Sequence, residues 1–153
     1  MRLTPNRRLS VEYHPDSKHL FEQFDTDFPG LTDNIKEDFA DFIRYLRGDG
    51  ESIPRRYGRH GPYSWPKSIA SLNLMHVHIC VPPRHGFVGN FLDQRACRDN
   101  EPERDAALVY TEHMYDEGRF CLLALLYPEA HSQARNEQVM RHLADLARRF
   151  HDS

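Results

Sequence analysis

Three histidines carry most of the chemistry this sequence offers: His76 and His78 in "LNLMHVHICVPP" (72–83), and His131, directly after "YPEA" (127–130). Imidazole titrates near operating pH, so it suits proton transfer, and its neutral nitrogen also binds metals. Read with a period of two, 72–83 places Leu74, His76, His78 and Cys80 on one face and Met75, Val77, Ile79 and Val81 on the other. The two imidazoles could then be metal ligands, acid–base catalysts, RNA contacts, or filler on a solvated face. His131 stands where the strongest strand ends and the last helix opens. A side chain there lies at the rim of a sheet, beside a helix N-terminus that attracts phosphate. Its bland alternative is a helix-start residue bonded to a backbone amide. Asp105, in "EPERD" (101–105), could orient a histidine or Arg98, or simply make a turn. Arg135 follows His131 by four residues, so a continuous helix puts both on one face, where the arginine could contact phosphate.

"RRYGRHG" (55–61) gathers Arg55, Arg56, Arg59 and His60 around Tyr57, the best local basic patch and suited to an RNA backbone. Such clusters are most often merely solvated. Trp65, just ahead of a strand, reads as a core anchor. HxH with a third ligand could also hold zinc with one position open, using His76, His78, His131 and Asp105. HxH alone is weak support, and no HExxH or CxxC accompanies it.

These side chains need elements to hold them. "RLSVEY" (8–13) reads as a short strand stopped by Pro15, and 17–28 as a helix with Leu20, Phe21, Phe24 and Phe28 at helical spacing. A second helix starts at Thr32 or Asp33 as cap, carries Ile35, Phe39, Phe42, Ile43 and Leu46 as one stripe, and ends at Gly48. Residues 48–66 read as a loop, 72–82 as a strand, and the Pro/Gly-rich stretch after it as a long excursion. "AALVYTEHMY" and "RFCLLALLYP" flank "DEGR" (116–119) as a hairpin, and a terminal helix runs from 131 to 150. The order β–α–α–β–loop–β–β–α indicates an α+β domain, a small, mainly antiparallel sheet packed on helices.

At 153 residues the chain has room for one domain, 1–153, with a real core. A formal charge of −3 gives no global basic signature, so RNA binding must rest on local patches. Three cysteines, Cys80, Cys97 and Cys121, form no CxxC pair; two of them, Cys80 and Cys121, sit in apolar strand-like runs, which reads as buried thiols in a reducing cytoplasm. The N-terminus lacks the apolar segment of a signal peptide, and "FCLLALLY" (120–127) is too short to span a bilayer. A soluble, cytoplasmic protein is expected.

Several blocks in order resemble the YafO family of type II toxin–antitoxin toxins: "ADFIRYLRGDGESIPRRYGRHGPYSWP" (40–66), "MHVHI" (75–79), "ALVY" (107–110), "LLALLYPEAHSQAR" (122–135) and "NEQVMRHLADLARRF" (136–150). The likeness covers residues 31–150 as a toxin core, with 1–30 as an N-terminal extension. That family is similar to the broader RelE group. The resemblance implies a RelE-like fold with helices ahead of the sheet and a C-terminal helix, and an endoribonuclease that cuts mRNA on the translating ribosome without a metal or other cofactor. It also implies a small cognate antitoxin, through which the complex binds its operator DNA. Two departures stand out: the 1–30 extension, and a longer insertion, 81–105, before "ALVY". The arginine that RelE-type enzymes tend to carry just before Leu-Val-Tyr is Ala107 here, leaving Arg98, Arg104 and Arg135 as replacement cations.

Metal-free RNA cleavage needs a base for the 2′-hydroxyl, an acid for the departing 5′-oxygen and a cation for the phosphorane. By resemblance, His131 occupies the position of a catalytic side chain, and His76 and His78 lie where relatives carry basic residues. The rivals are a His-ligated metal-dependent hydrolase, a non-catalytic RNA- or ribosome-binding module, and a regulator acting only through its antitoxin by way of the acidic N-terminal segment.

Overall fold

The structure, a computed structural model, describes residues 8–50, 52–98 and 100–153. The first seven residues of the N-terminal extension lie outside it. Five strands form one sheet: β1 (Ser10–Tyr13), β2 (Tyr57–Pro62), β3 (Met75–Ile79), β4 (Ala107–Glu112) and β5 (Arg119–Leu126), in spatial order β1-β5-β4-β3-β2. All neighbours are antiparallel except β1, which lies parallel to β5. The architecture is α+β with a mostly antiparallel sheet, as the sequence indicates.

Helices cover both faces. On one side, α1 (Lys18–Asp27) and α2 (Leu31–Leu46) bury Phe21, Ile35, Phe39 and Phe42 against Val77, Ile79, Leu108, Tyr110 and Leu122. On the other, α4 (Glu137–His151) buries Met140, Leu143, Leu146 and Phe150 against Leu74, Val109, Cys121 and Leu123. Because both faces are covered, β4 and β5 are apolar almost throughout rather than alternating. Leu123 is an extra residue on β5, marked by a register shift between Val109 and Tyr110. The hairpin turn passes through Gly118 at φ 85°, where the backbone is left-handed and glycine fits at no steric cost.

Four sequence expectations need correction. Residues 48–66 are not all loop: Tyr57–Pro62 pairs with β3 as an edge strand, and Tyr57 donates its hydroxyl to the Ile35 carbonyl at 2.8 Å. α2 is not capped by Thr32 or Asp33. Gly30 precedes it, Thr32 is buried, and the Thr32 amide donates to the Asp25 carboxylate at 2.8 Å. The terminal helix is broken in two, α3 (Ala130–Ala134) and α4, because the Asn136 side chain accepts the amides of Gln138 and Val139 and starts a new helix. Trp65 is not a core anchor; it is 51% exposed. All three cysteines are buried, free thiols. Among the described residues no helix is long and apolar enough to cross a membrane.

Candidate active site

Sheet register assembles the site. His78 lies opposite Ala107, and Ala107 lies opposite Leu126, so the chain just before β4 and just after β5 meet beside β3. Asp105 thereby reaches His131, 26 residues away in sequence. Two backbone bonds close the junction: the Ala130 amide donates to the Asp105 carbonyl at 3.1 Å, and the Glu129 amide to the Pro102 carbonyl at 3.0 Å.

Asp105 is 1% exposed, and a buried carboxylate needs donors. It finds them on one residue. The His131 amide donates to Oδ2 at 2.8 Å, and ring Nδ1 lies 2.8 Å from both carboxylate oxygens. A carboxylate only accepts, so Nδ1 carries the hydrogen and Nε2 keeps its lone pair for an incoming proton. The His131 side chain is 34% exposed. The amide at the start of α3 is thus occupied by Asp105 rather than left for a phosphate. The Asp105 carboxylate thus meets both the ring and the amide of His131.

His78, with its ring centroid 5.4 Å from that of His131, carries the opposite arrangement. It is 8% exposed, and its Nδ1 accepts the Cys97 amide at 2.7 Å. A backbone N–H only donates, so the hydrogen of the neutral ring lies on Nε2. Burial first, then the neighbouring His131, pushes its pKa down to about 4. His76 stacks flat on Tyr63, centroids 4.1 Å apart and planes 11° apart, and burial and His78 bring it also to about 4. Both rings are neutral at neutral pH. Burial and Asp105 push the Tyr63 hydroxyl well above its ordinary value, which keeps it a phenol.

The cavity among Tyr63, His76, His78 and His131 is only about 50 Å³. That is room for a water or two, so any larger group must stay at the mouth. The four residues of the zinc reading are divided instead: the Asp105 carboxylate is taken up by His131, and His78 Nδ1 by the Cys97 amide. Among the described residues no three His, Cys, Asp or Glu side chains gather to hold a metal.

The arginines divide. Arg59, exposed on β2, is the last of the groups that lower the pKa of His78. Arg98 is exposed one residue after Cys97. Arg55 and Arg56 instead line a polar cavity of about 490 Å³ with Asp38 and Asp41 of α2, away from the imidazoles. Arg104 pairs with Glu101 at 3.6 Å. Arg135 is exposed and caps the C-terminal end of α3 in the αR conformation, about one turn after His131 and just before the break at Asn136. His60 lies edge-on to Phe42, on the side of the sheet facing α2. Sequence reasoning missed Tyr63 and the Cys97 amide: the first lacks any motif, and a backbone donor has no sequence signature.

Residues 43–152 match the family described as Toxin YafO, type II toxin-antitoxin system. Over 119 residues the chain is 31% identical to the mRNA interferase toxin YafO of Escherichia coli (strain K12), an overlap covering 72% of this chain and 80% of that one. No solved structure matches it.

Proposed function

We propose, from the premise that this chain belongs to the YafO family of type II toxin–antitoxin toxins, that it is an mRNA interferase whose proton-transfer group is His131 held by Asp105. The family implies a cognate antitoxin as its partner. The observation that carries the reading is the pair of neighbouring imidazoles in opposite tautomers, one a bare acceptor at Nε2 and the other an Nε2–H donor.

His131 Nε2 takes the proton from a ribose 2′-hydroxyl, and the resulting 2′-oxygen forms a bond to phosphorus as the bond to the 5′-oxygen breaks. The departing oxygen leaves on the opposite side, toward solvent, and is protonated there. The products are a 2′,3′-cyclic phosphate and a 5′-hydroxyl end. His78 donates Nε2–H to a phosphoryl oxygen as charge builds, with no reorganisation because the Cys97 amide has already fixed its ring. Arg59 supplies the cation that Ala107 cannot, and the small Ala107 side chain keeps the pocket beside His78 open. His76 and Tyr63 form the pocket's back wall. No metal takes part in this scheme.

Arg98 and Arg59, and more remotely Arg55, Arg56 and Arg135, grip RNA phosphates on messenger and ribosome, local patches acting within a chain of net charge −3. Cleavage occurs on the translating ribosome in the cytoplasm, and the toxin reaches operator DNA only through its antitoxin. Residues 1–153 act as one domain, a reading supported by Tyr13 and Phe21 packing into the core shared with β4 and β5.

The test is a translating extract with defined transcripts. The purified wild type should carry no stoichiometric metal and should cut them equally well with a zinc-selective chelator that leaves ribosomal Mg²⁺ in place, and His131→Ala should lose cleavage by about a thousandfold while co-sedimenting with ribosomes as before. Stoichiometric zinc in the purified toxin, with cutting lost to the zinc-selective chelator, would restore the metal reading. Parallel loss of binding and cutting in His131→Ala would favour a non-catalytic binding module.

A further inference from the structure

Among the described residues the stretch between β3 and β4 holds no strand, yet both imidazoles depend on it: Asp105 orients His131, and the Cys97 amide orients His78. An irregular segment of this length has high conformational entropy unless something ties it down. Arg95 is the tie. Its guanidinium donates Nε–H to the Gly89 carbonyl at 3.0 Å and Nη1–H to the Pro54 and Tyr57 carbonyls at 3.2 and 3.1 Å. Its own carbonyl accepts the Arg59 amide at 2.9 Å, so the loop pairs with the free edge of β2. The approach is close: a Cβ on Gly58 would sit 2.1 Å from the Arg95 carbonyl oxygen, which explains the glycine. Two residues further on, the Cys97 amide meets His78.

Resting on the cleavage reading above, we propose that Arg95 is a positioning residue for the reaction. Its planar fork pins residues 89–97 onto β2, so that the Cys97 N–H keeps His78 in the Nε2–H tautomer. Lysine cannot replace it, because one ammonium on a flexible stem does not bridge three carbonyls in fixed directions. Arg95 touches neither RNA nor the reacting atoms; it acts through the backbone. The loop that distinguishes this chain, an insertion on the sequence reading, is on this account part of the catalytic apparatus.

Three variants of the full chain test this: Arg95→Lys, Arg95→Ala and Gly58→Ala, the last lifting the same loop without touching the arginine. Long-range proton–nitrogen NMR of the His78 ring reports its tautomer directly, and transcript cleavage in a translating extract reports kcat and KM. The wild type should show Nε2–H alone. In all three variants the Nδ1–H form should appear, with kcat down about ten- to a hundredfold and KM within about twofold. Folded variants with an unchanged His78 tautomer would overturn the proposal, whatever happens to the rate, and so would unchanged kcat. An unfolded Arg95→Lys would overturn it too, showing a purely structural arginine. If the tautomer shifts as expected but the wild type cuts no RNA, the positioning stands and the cleavage reading falls.

Discussion

At the scale of single residues, function depends on which nitrogen carries a hydrogen. His78 has an Nδ1 that accepts the Cys97 amide and a pKa pushed down to about 4, and the proposed mechanism makes it a neutral donor. Glutamine reproduces that role with a carbonyl to accept and an amide to donate. His78→Gln should therefore keep transcript cleavage within about tenfold of wild type, whereas His78→Leu should lose about a hundred- to a thousandfold, as for an oxyanion donor. Equal losses in both variants would show that His78 moves a proton. The sequence displayed His76, His78 and His131 plainly, and placed the strand pair on the correct face. It could not divide the labour among them, because the partners that decide it are a buried carboxylate 26 residues from His131 and a main-chain amide 19 residues from His78.

At the scale of elements, the β4–β5 hairpin was legible from its apolar runs and the "DEGR" turn, and that hairpin delivers Asp105 to His131. The strand β2 was hidden because "YGRHGP" is rich in residues that strands avoid; an edge position with a bulge tolerates them. The break before α4 was masked by apolar spacing that runs through it. The first two elements, β1 and α1, lie before the part of the chain that matches the family, yet they belong to its core. Phe21 is buried against Tyr13 with centroids 4.5 Å apart, and Phe24 and Phe28 meet the edge of Tyr127, four residues before His131. Deleting residues 1–30 should cost more than about 3 kcal/mol in urea unfolding, the scale of losing one buried aromatic. A truncated chain with the wild-type midpoint would show instead that the extension is a separate appendage.

At the scale of the whole molecule, a sheet covered on both faces has buried several histidines in neutral form. His14, His78 and His151 each accept a backbone amide at Nδ1, and burial lowers the pKa of all three. A histidine whose folded pKa lies below its unfolded 6.5 leaves the unfolded chain holding more protons between the two values. Stability is then fully present above that unfolded value and falls as pH drops from 6.5 toward 4, by about 3 kcal/mol for His78 alone. Thermal midpoints should be flat above neutrality and decline through that window, and His78→Gln should decline less steeply. Parallel curves for the two proteins would contradict the assignment of His78 as a buried neutral ring.

The central claim is that an Asp105-held His131 lets a ribose hydroxyl sever its own strand, and the chemistry of the new RNA ends tests it most directly. Fragments made in a translating extract should carry 5′-hydroxyl and 2′,3′-cyclic phosphate termini, and should be missing when His131→Ala replaces the wild type. Fragments ending in 5′-phosphate and 3′-hydroxyl groups, or transcripts left whole by the antitoxin-free wild type, would contradict it.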